Sequence, residues 1–302
     1  MSGIITERPS LAKPGWGKRS PWWRRPPFPA LMAAVVAASV VSAFWLTSRP
    51  SGQQSWATLG TTDVHSLVFV DGNSDHLLFG HHEGVLESRD GGRTWEPLGT
   101  NVDAMALTAA SDRSVVVAGH EVLTSSPDGG ATWQPVSADL PSLDIHGFTR
   151  DPADPTRMWA YLATGGLWET TDGGLHWSQV REDNVAFPLA VPTQTGTRLL
   201  GVDASGLVAS DDGGRTWAAV GTPPTYPMTA FAASSDGGTL YAGSTDGLFR
   251  SADGGRTWTK TTFDGFPMAI AVTSDSQEVA LVAETTDLFR SFDAGVTWTG
   301  PA

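Results

Sequence analysis

Ser88-Arg89-Asp90-Gly91-Gly92-Arg93-Thr94-Trp95 is the first of six related octapeptides, followed by Ser126 to Trp133, Thr170 to Trp177, Ser210 to Trp217, Ser251 to Trp258 and Ser291 to Trp298. The closing tryptophans lie 38, 44, 40, 41 and 40 residues apart, a period that suits one four-stranded blade of a β-propeller. An Asp followed by glycine lets the backbone turn through left-handed φ while the carboxylate accepts hydrogen bonds from its own turn amides, and Thr-Trp then starts a strand. Between the octapeptides the pattern is regular. The first unit runs His65 to Val70, a turn at Asp71, His76 to Gly80, a turn at His82, Val85 to Ser88, the octapeptide, and Thr94 to Leu98, which reads as four short strands joined by hairpins.

The pattern S-x-D-x-G-x-T-W resembles the Asp-box, or BNR repeat, of sialidases, sortilin-type receptors and propeller-type photosystem II assembly factors, and the match covers most of residues 54–302. The resemblance implies that Asp90, Asp128, Asp172, Asp212, Asp253 and Asp293 are structural, because in that family the box joins the third and fourth strands of a blade, away from the ligand face. Sialidases of the family also need an arginine triad, a Tyr-Glu pair and an Arg-Ile-Pro element. No Arg-Ile-Pro occurs here, and the tyrosines are only Tyr161, Tyr226 and Tyr241.

The expected fold is therefore all-β: a six-bladed propeller of four-stranded blades over residues 54–302, preceded by one transmembrane helix. Ser55-Trp56-Ala57-Thr58-Leu59-Gly60 repeats the outer-strand pattern of Thr94 to Gly99 without a box before it. A seven-bladed ring with a degenerate blade is thus the alternative. Leu86, Leu123, Trp168, Val208, Phe249 and Phe289 fall in inward columns of the repeat, so Trp168 reads as core rather than as a sugar platform.

The address comes from the N-terminus. Residues 28–47 are 20 residues without a charge, long enough to cross a bilayer as a helix. In the tail, residues 1–27, Arg8, Lys13, Lys18, Arg19, Arg24 and Arg25 oppose Glu7, which places the tail in the cytoplasm and, beyond a linker at 48–53, the propeller outside. Val41-Ser42-Ala43 leaves a cleaved signal peptide open as the alternative. The chain totals −13 although its tail is basic, so the exported part is strongly acidic, which excludes nucleic acid as a partner. No cysteine is present. Thiol catalysis and thiolate metal sites are excluded with it.

Candidate chemistry lies where the innermost strand of each blade begins. In repeat register that position holds His65, Met105, His146, Ala186, Met228 and Met268, spaced 40, 41, 40, 42 and 40 residues. Imidazole and thioether donors without thiolate suit copper, Cu(I) in particular. The loop between the second and third strands adds His81, His82 and His120 on the same side. Asp63, Asp103 and Asp144 each precede the column residue by two positions, on the same strand face if extended, where they can orient imidazoles. The reading is a membrane-tethered, extracytoplasmic binding or assembly module with a copper-binding channel mouth and room for a protein or glycan ligand. It has two rivals: a non-sialidase glycoside hydrolase using Asp63, Asp103 or Asp144, and a protein-only scaffold whose pore is plugged by methionine.

Overall fold

A computed structural model describes residues 63–299 except 71, 73, 137–138, 226, 276 and 284–286. The proposed transmembrane segment, residues 28–47, and the unboxed outer strand at Ser55 to Gly60 lie outside the described residues, and among those described no helix is long and apolar enough to cross a membrane.

The chain forms six sheets in sequence order. Blade 1 is β1 (Ser66–Phe69), β2 (Leu77–His81), β3 (Gly84–Ser88) and β4 (Glu96–Pro97); blade 2 is β5 (Ala106–Ala109), β6 (Val115–Gly119), β7 (Val122–Ser126) and β8 (Gln134–Pro135). Blade 3 comprises β9 (Ile145–Arg150), β10 (Met158–Leu162), β11 (Gly166–Thr170) and β12 (Ser178–Arg181); blade 4 comprises β13 (Ala186–Thr193), β14 (Gly196–Asp203), β15 (Gly206–Ser210) and β16 (Ala218–Gly221). Blade 5 has β17 (Ala230–Ala233), β18 (Leu240–Ser244), β19 (Gly247–Ser251) and β20 (Thr259–Lys260). Among the described residues blade 6 has β21 (Pro267–Val272), β22 (Val279–Ala283) and β23 (Asp287–Ser291), with an antiparallel bridge from Arg290 to Thr299. The innermost strands touch in the cycle β1, β5, β9, β13, β17, β21 and back to β1. This is a closed six-bladed propeller.

The second strands carry the reason for closure. Leu77 to His81 and Val115 to Gly119 are buried along their whole length, as expected of strands covered on both faces. Each face is covered by the neighbouring blade. Val70, Leu78, Val85, Leu107, Val115 and Val117 form the slab between blades 1 and 2, and Leu67, Phe79, Trp95, Ala269, Ala280 and Leu288 form the one between blades 6 and 1. Fully burying one such large apolar side chain is worth about 1.5–3 kcal/mol, against about 0.5–1.5 kcal/mol net for a hydrogen bond. The slabs therefore hold the ring more than the two-residue outer strands do. Trp168 packs in the slab between blades 2 and 3 and Trp159 is fully buried, so neither is a free stacking surface.

Each octapeptide closes its own hairpin. In the first, Ser88 Oγ donates to Asp90 Oδ1 (2.9 Å) and accepts from Gly92 N (2.8 Å), while Asp90 accepts from Arg93 N (3.0 Å), Thr94 N (2.9 Å) and Thr94 Oγ1 (2.7 Å). The same carboxylate clamp recurs at Asp128, Asp172, Asp212, Asp253 and Asp293. In blade 3 His176 replaces the threonine, and its Nδ1 lies 2.7 Å from Asp172 Oδ2. Hydrogen bonds from Thr257 and Thr297 hold Asp253 and Asp293 down to about 2, and those from Thr216 depress Asp212 as well. Register places these turns at the far end of the blade from the channel column. Ser88 pairs with Leu77, whereas His81 pairs with Gly84 and Ser66 with Gly80.

A depressed carboxylate stabilises the fold above its ordinary range, and that stability is lost as pH falls through the folded-state value. Replacing Asp212 by Ala should therefore lower the thermal midpoint by a few degrees at pH 7, with a deficit that shrinks below about pH 3. Thermal melts monitored by circular dichroism across pH would show it. An equal deficit at all pH values would mean that the charged clamp is not the stabilising element.

Candidate metal centre at the channel mouth

Blades 1 to 3 bring four imidazoles and three carboxylates together where their inner strands begin. Backbone pairing builds the platform. His65 N donates to Gly80 O (3.0 Å), Ala104 N to His81 O (3.1 Å), and Glu121 N to Leu143 O (2.9 Å), while His120 and Asp144 form an antiparallel bridge between blades 2 and 3. Gly119 matters here because a Cβ at that position would overlap the Asp103 carbonyl. Only a glycine lets β6 lie this close to the strand that carries Asp103.

The side chains form one connected set. His82 Nε2 lies 2.7 Å from Asp63 Oδ2, and its Nδ1 lies 3.0 Å from Asp103 Oδ1 and 3.1 Å from His65 Nε2. His65 Nε2 is 3.2 Å from Asp63 Oδ2 and 3.5 Å from Asp103 Oδ1. On the other side of Asp103, its Oδ2 lies 2.6 Å from His120 Nδ1. His120 Nε2 in turn lies 3.2 Å from His146 Nε2 and 3.4 Å from Asp144 Oδ1, which is 2.9 Å from His146 Nε2. A carboxylate only accepts, so the contact with Asp103 places a proton on His120 Nδ1, while Nε2 faces His146 Nε2 and Asp144 Oδ1. Burial holds His65 below the ordinary imidazole value, against the opposing pull of Asp63 and Asp103.

Two groups have ligand atoms close enough to share an ion: Asp63, His65 and His82, and His120, Asp144 and His146. The second group opens onto a depression of about 450 Å³ lined by His120, Glu121, Ser142, Leu143 and Asp144. Glu121 sits there with φ of +58°, a left-handed conformation that a non-glycine residue adopts at a cost.

The repeat column itself divides. His65 and His146 join the cluster, but Met228 is buried with Val202, Leu207 and Ala242 between blades 4 and 5, and Met268 packs against the slab between blades 6 and 1. Met105 is tied by its backbone N–H to the Asp103 carbonyl (3.1 Å). Two of the expected thioethers, Met228 and Met268, thus lie in or against slabs, and the groups facing the clustered imidazoles are carboxylates. The physical reason is that an apolar thioether gains more in a slab than at a wet mouth. His81 is set apart as well: its ring stacks on Phe79 (5.9 Å between centroids) and its Nδ1 accepts from Glu83 N (3.2 Å). Burial lowers its basicity too.

No protein-family model matches the sequence, and no curated protein matches it. Among solved structures, the chain is similar to YCF48 from Cyanidioschyzon merolae, at 18% identity and a TM-score of 0.51, over 84% of this chain and 87% of that one. It is also similar to the GH74 xyloglucanase from Xanthomonas campestris (18% identity, TM-score 0.55, 84% of this chain and 46% of that one). The GH74 enzyme of Niastella koreensis gives 16% identity and a TM-score of 0.52, over 83% of this chain and 51% of that one. The chain spans about half the length of the two GH74 enzymes. At these identities the likeness is one of fold.

The geometry makes a spectroscopic prediction independent of any ligand. Long-range ¹H–¹⁵N spectra of the histidine side chains should show His120 as the Nδ1–H tautomer, hydrogen-bonded to Asp103. Asp103→Ala, or Gly119→Ala acting through the displaced backbone, should convert it to a tautomer mixture. An unchanged His120 signal in both variants would contradict the contact.

Proposed function

We propose that this chain is a membrane-tethered, extracytoplasmic propeller acting as a binding or assembly module, whose working face is a metal-binding channel mouth on blades 1 to 3. The observation that carries the reading is the convergence of His65, His82, His120 and His146 with Asp63, Asp103 and Asp144 at one end of three adjacent blades. Copper remains the proposed metal. With imidazole and carboxylate in place of thioether, the donor set favours Cu(II) over Cu(I), and the usual order of divalent affinities puts Cu(II) above Zn(II). The tether rests on the uncharged run at 28–47 and the basic tail before it.

A glycoside hydrolase is the second reading. Two carboxylates, Glu121 and Asp144, line the depression beside blade 3, and paired carboxylates are what glycosidic cleavage needs. Against it, Asp63, Asp103 and Asp144 are each within 3.5 Å of at least one histidine nitrogen. Turnover of xyloglucan that Asp144→Ala or Glu121→Ala abolishes without unfolding would favour the hydrolase.

Titrating the full-length chain in detergent with Cu(II) at pH 7.5 should show tight binding that weakens as pH falls and the imidazoles protonate. Changing His65 and His146 together to Ala should abolish it while the thermal midpoint stays near that of the parent. Absence of binding, or equal binding by the double variant, would overturn the metal reading. Fractionating cells that express the chain should leave it in membranes at full mass. A soluble species beginning at Phe44 would show a cleaved signal instead.

A further inference from the structure

We infer that the channel mouth is built for two divalent cations, coupled through the single carboxylate of Asp103. The inference rests on the metal reading above and goes beyond it in number, ligand assignment and linkage.

The distances carry it. Two ligands on one tetrahedral ion, with bonds of roughly 2.0–2.1 Å, stand roughly 3.3 Å apart. His65 Nε2, His82 Nδ1 and Asp103 Oδ1 are mutually separated by 3.1, 3.0 and 3.5 Å. His120 Nε2, His146 Nε2 and Asp144 Oδ1 are mutually separated by 3.2, 2.9 and 3.4 Å. Each triangle is therefore one face of a coordination tetrahedron, made of two imidazole nitrogens and one carboxylate oxygen. That donor set is a common one for zinc and for other divalent first-row metals.

Each face also has an oriented imidazole. A ligating histidine ordinarily donates its other ring N–H to a carboxylate, which fixes the tautomer and raises the basicity of the ligating nitrogen. His82 Nε2 lies at ion-pair distance from Asp63 Oδ2, 2.7 Å, and its Nδ1 faces Asp103 Oδ1 and His65 Nε2. His120 Nδ1 meets Asp103 Oδ2 at 2.6 Å, which leaves Nε2 to ligate. Asp63 Oδ2, within 3.2 Å of both His65 and His82, is a further oxygen within reach of the first ion. Asp103 has both roles: Oδ1 is a ligand of the first ion, and Oδ2 positions a ligand of the second. Asp103 Oδ1 is buried and makes no hydrogen bond despite the two imidazole nitrogens facing it, as expected of an oxygen aimed at an ion rather than at a proton.

Charge agrees with this assignment. For Asp103 and Asp144 the ion-pair partners among the described residues are histidines alone. Carboxylates gathered this closely repel one another, and a cation between them offsets that repulsion. The second site faces the open depression through His120 and Asp144, so its fourth position is accessible to water or to a donor from a bound partner.

The test is a Co(II) titration of the full-length chain in detergent, with visible absorption reporting coordination and elemental analysis reporting stoichiometry. Two ions per chain are expected, with the d–d bands of low-coordinate Co(II). His146→Ala should retain the first site alone, and His65→Ala the second alone. Asp103→Ala should lose the first site and weaken the second by about 10- to 100-fold; Asp144→Ala should leave the first untouched. Thermal midpoints of all variants separate site loss from unfolding. No Co(II) bound to the parent would overturn the metal reading and this inference together. One ion per chain would leave the metal reading standing and overturn the pair. Two ions with only the first affected by Asp103→Ala would overturn the coupling.

Discussion

A blade of this protein cannot bury its own faces, and ring closure is the constraint from which the other features follow. Second strands buried along their whole length need a neighbour on each side, and six blades supply one only if the last meets the first. The meeting is explicit. Leu288 and Ala280 of blade 6 pack with Phe79 and Leu67 of blade 1. At the turn end, the Arg290 guanidinium donates to Gly91 O and Ser74 O (2.9 Å each) while pairing with Glu278. Burial pushes the Glu278 carboxyl up, partly countered by that arginine. Closure then aligns the starts of the inner strands at one mouth, so residues some forty positions apart become neighbours.

In blades 1 to 3 the two ends have separate duties. The turn end carries the aspartate clamps, where each carboxylate is spent on amides and hydroxyls of its own hairpin. The mouth end carries carboxylates whose near neighbours are imidazoles. The chemical contrast is one of partners: a clamp aspartate is saturated by local donors, whereas Asp103 keeps a buried oxygen without a hydrogen bond. In an acidic chain, that contrast separates structural from functional carboxylates better than abundance does.

The blade count and the side of the ring that gathers histidine were legible in the sequence, because both depend on period alone. The period places a backbone position but not the direction of its side chain. Met228 and Met268 hold the same repeat position as His65, yet their thioethers turn into slabs, since an apolar chain gains there what an imidazole would lose. Adjacent histidines part for the same reason: His81 ends a fully buried strand, and His82 stands in the turn after it. The bridging role of Asp103 depends on the close approach of β6, which Gly119 permits. That glycine ends an apolar run, and a close-approach role was its readable signal.

The central claim is that closure brings His65, His82 and Asp103, and separately His120, His146 and Asp144, to the spacing of metal ligands. Crystals of the propeller soaked in Zn(II) and measured at the zinc absorption edge test it most directly. Two anomalous peaks, one on each side of the Asp103 carboxylate and each within bonding distance of two imidazole nitrogens, are the predicted result. Peaks confined to the surface, with the six side chains bonded only to one another or to water, would contradict it.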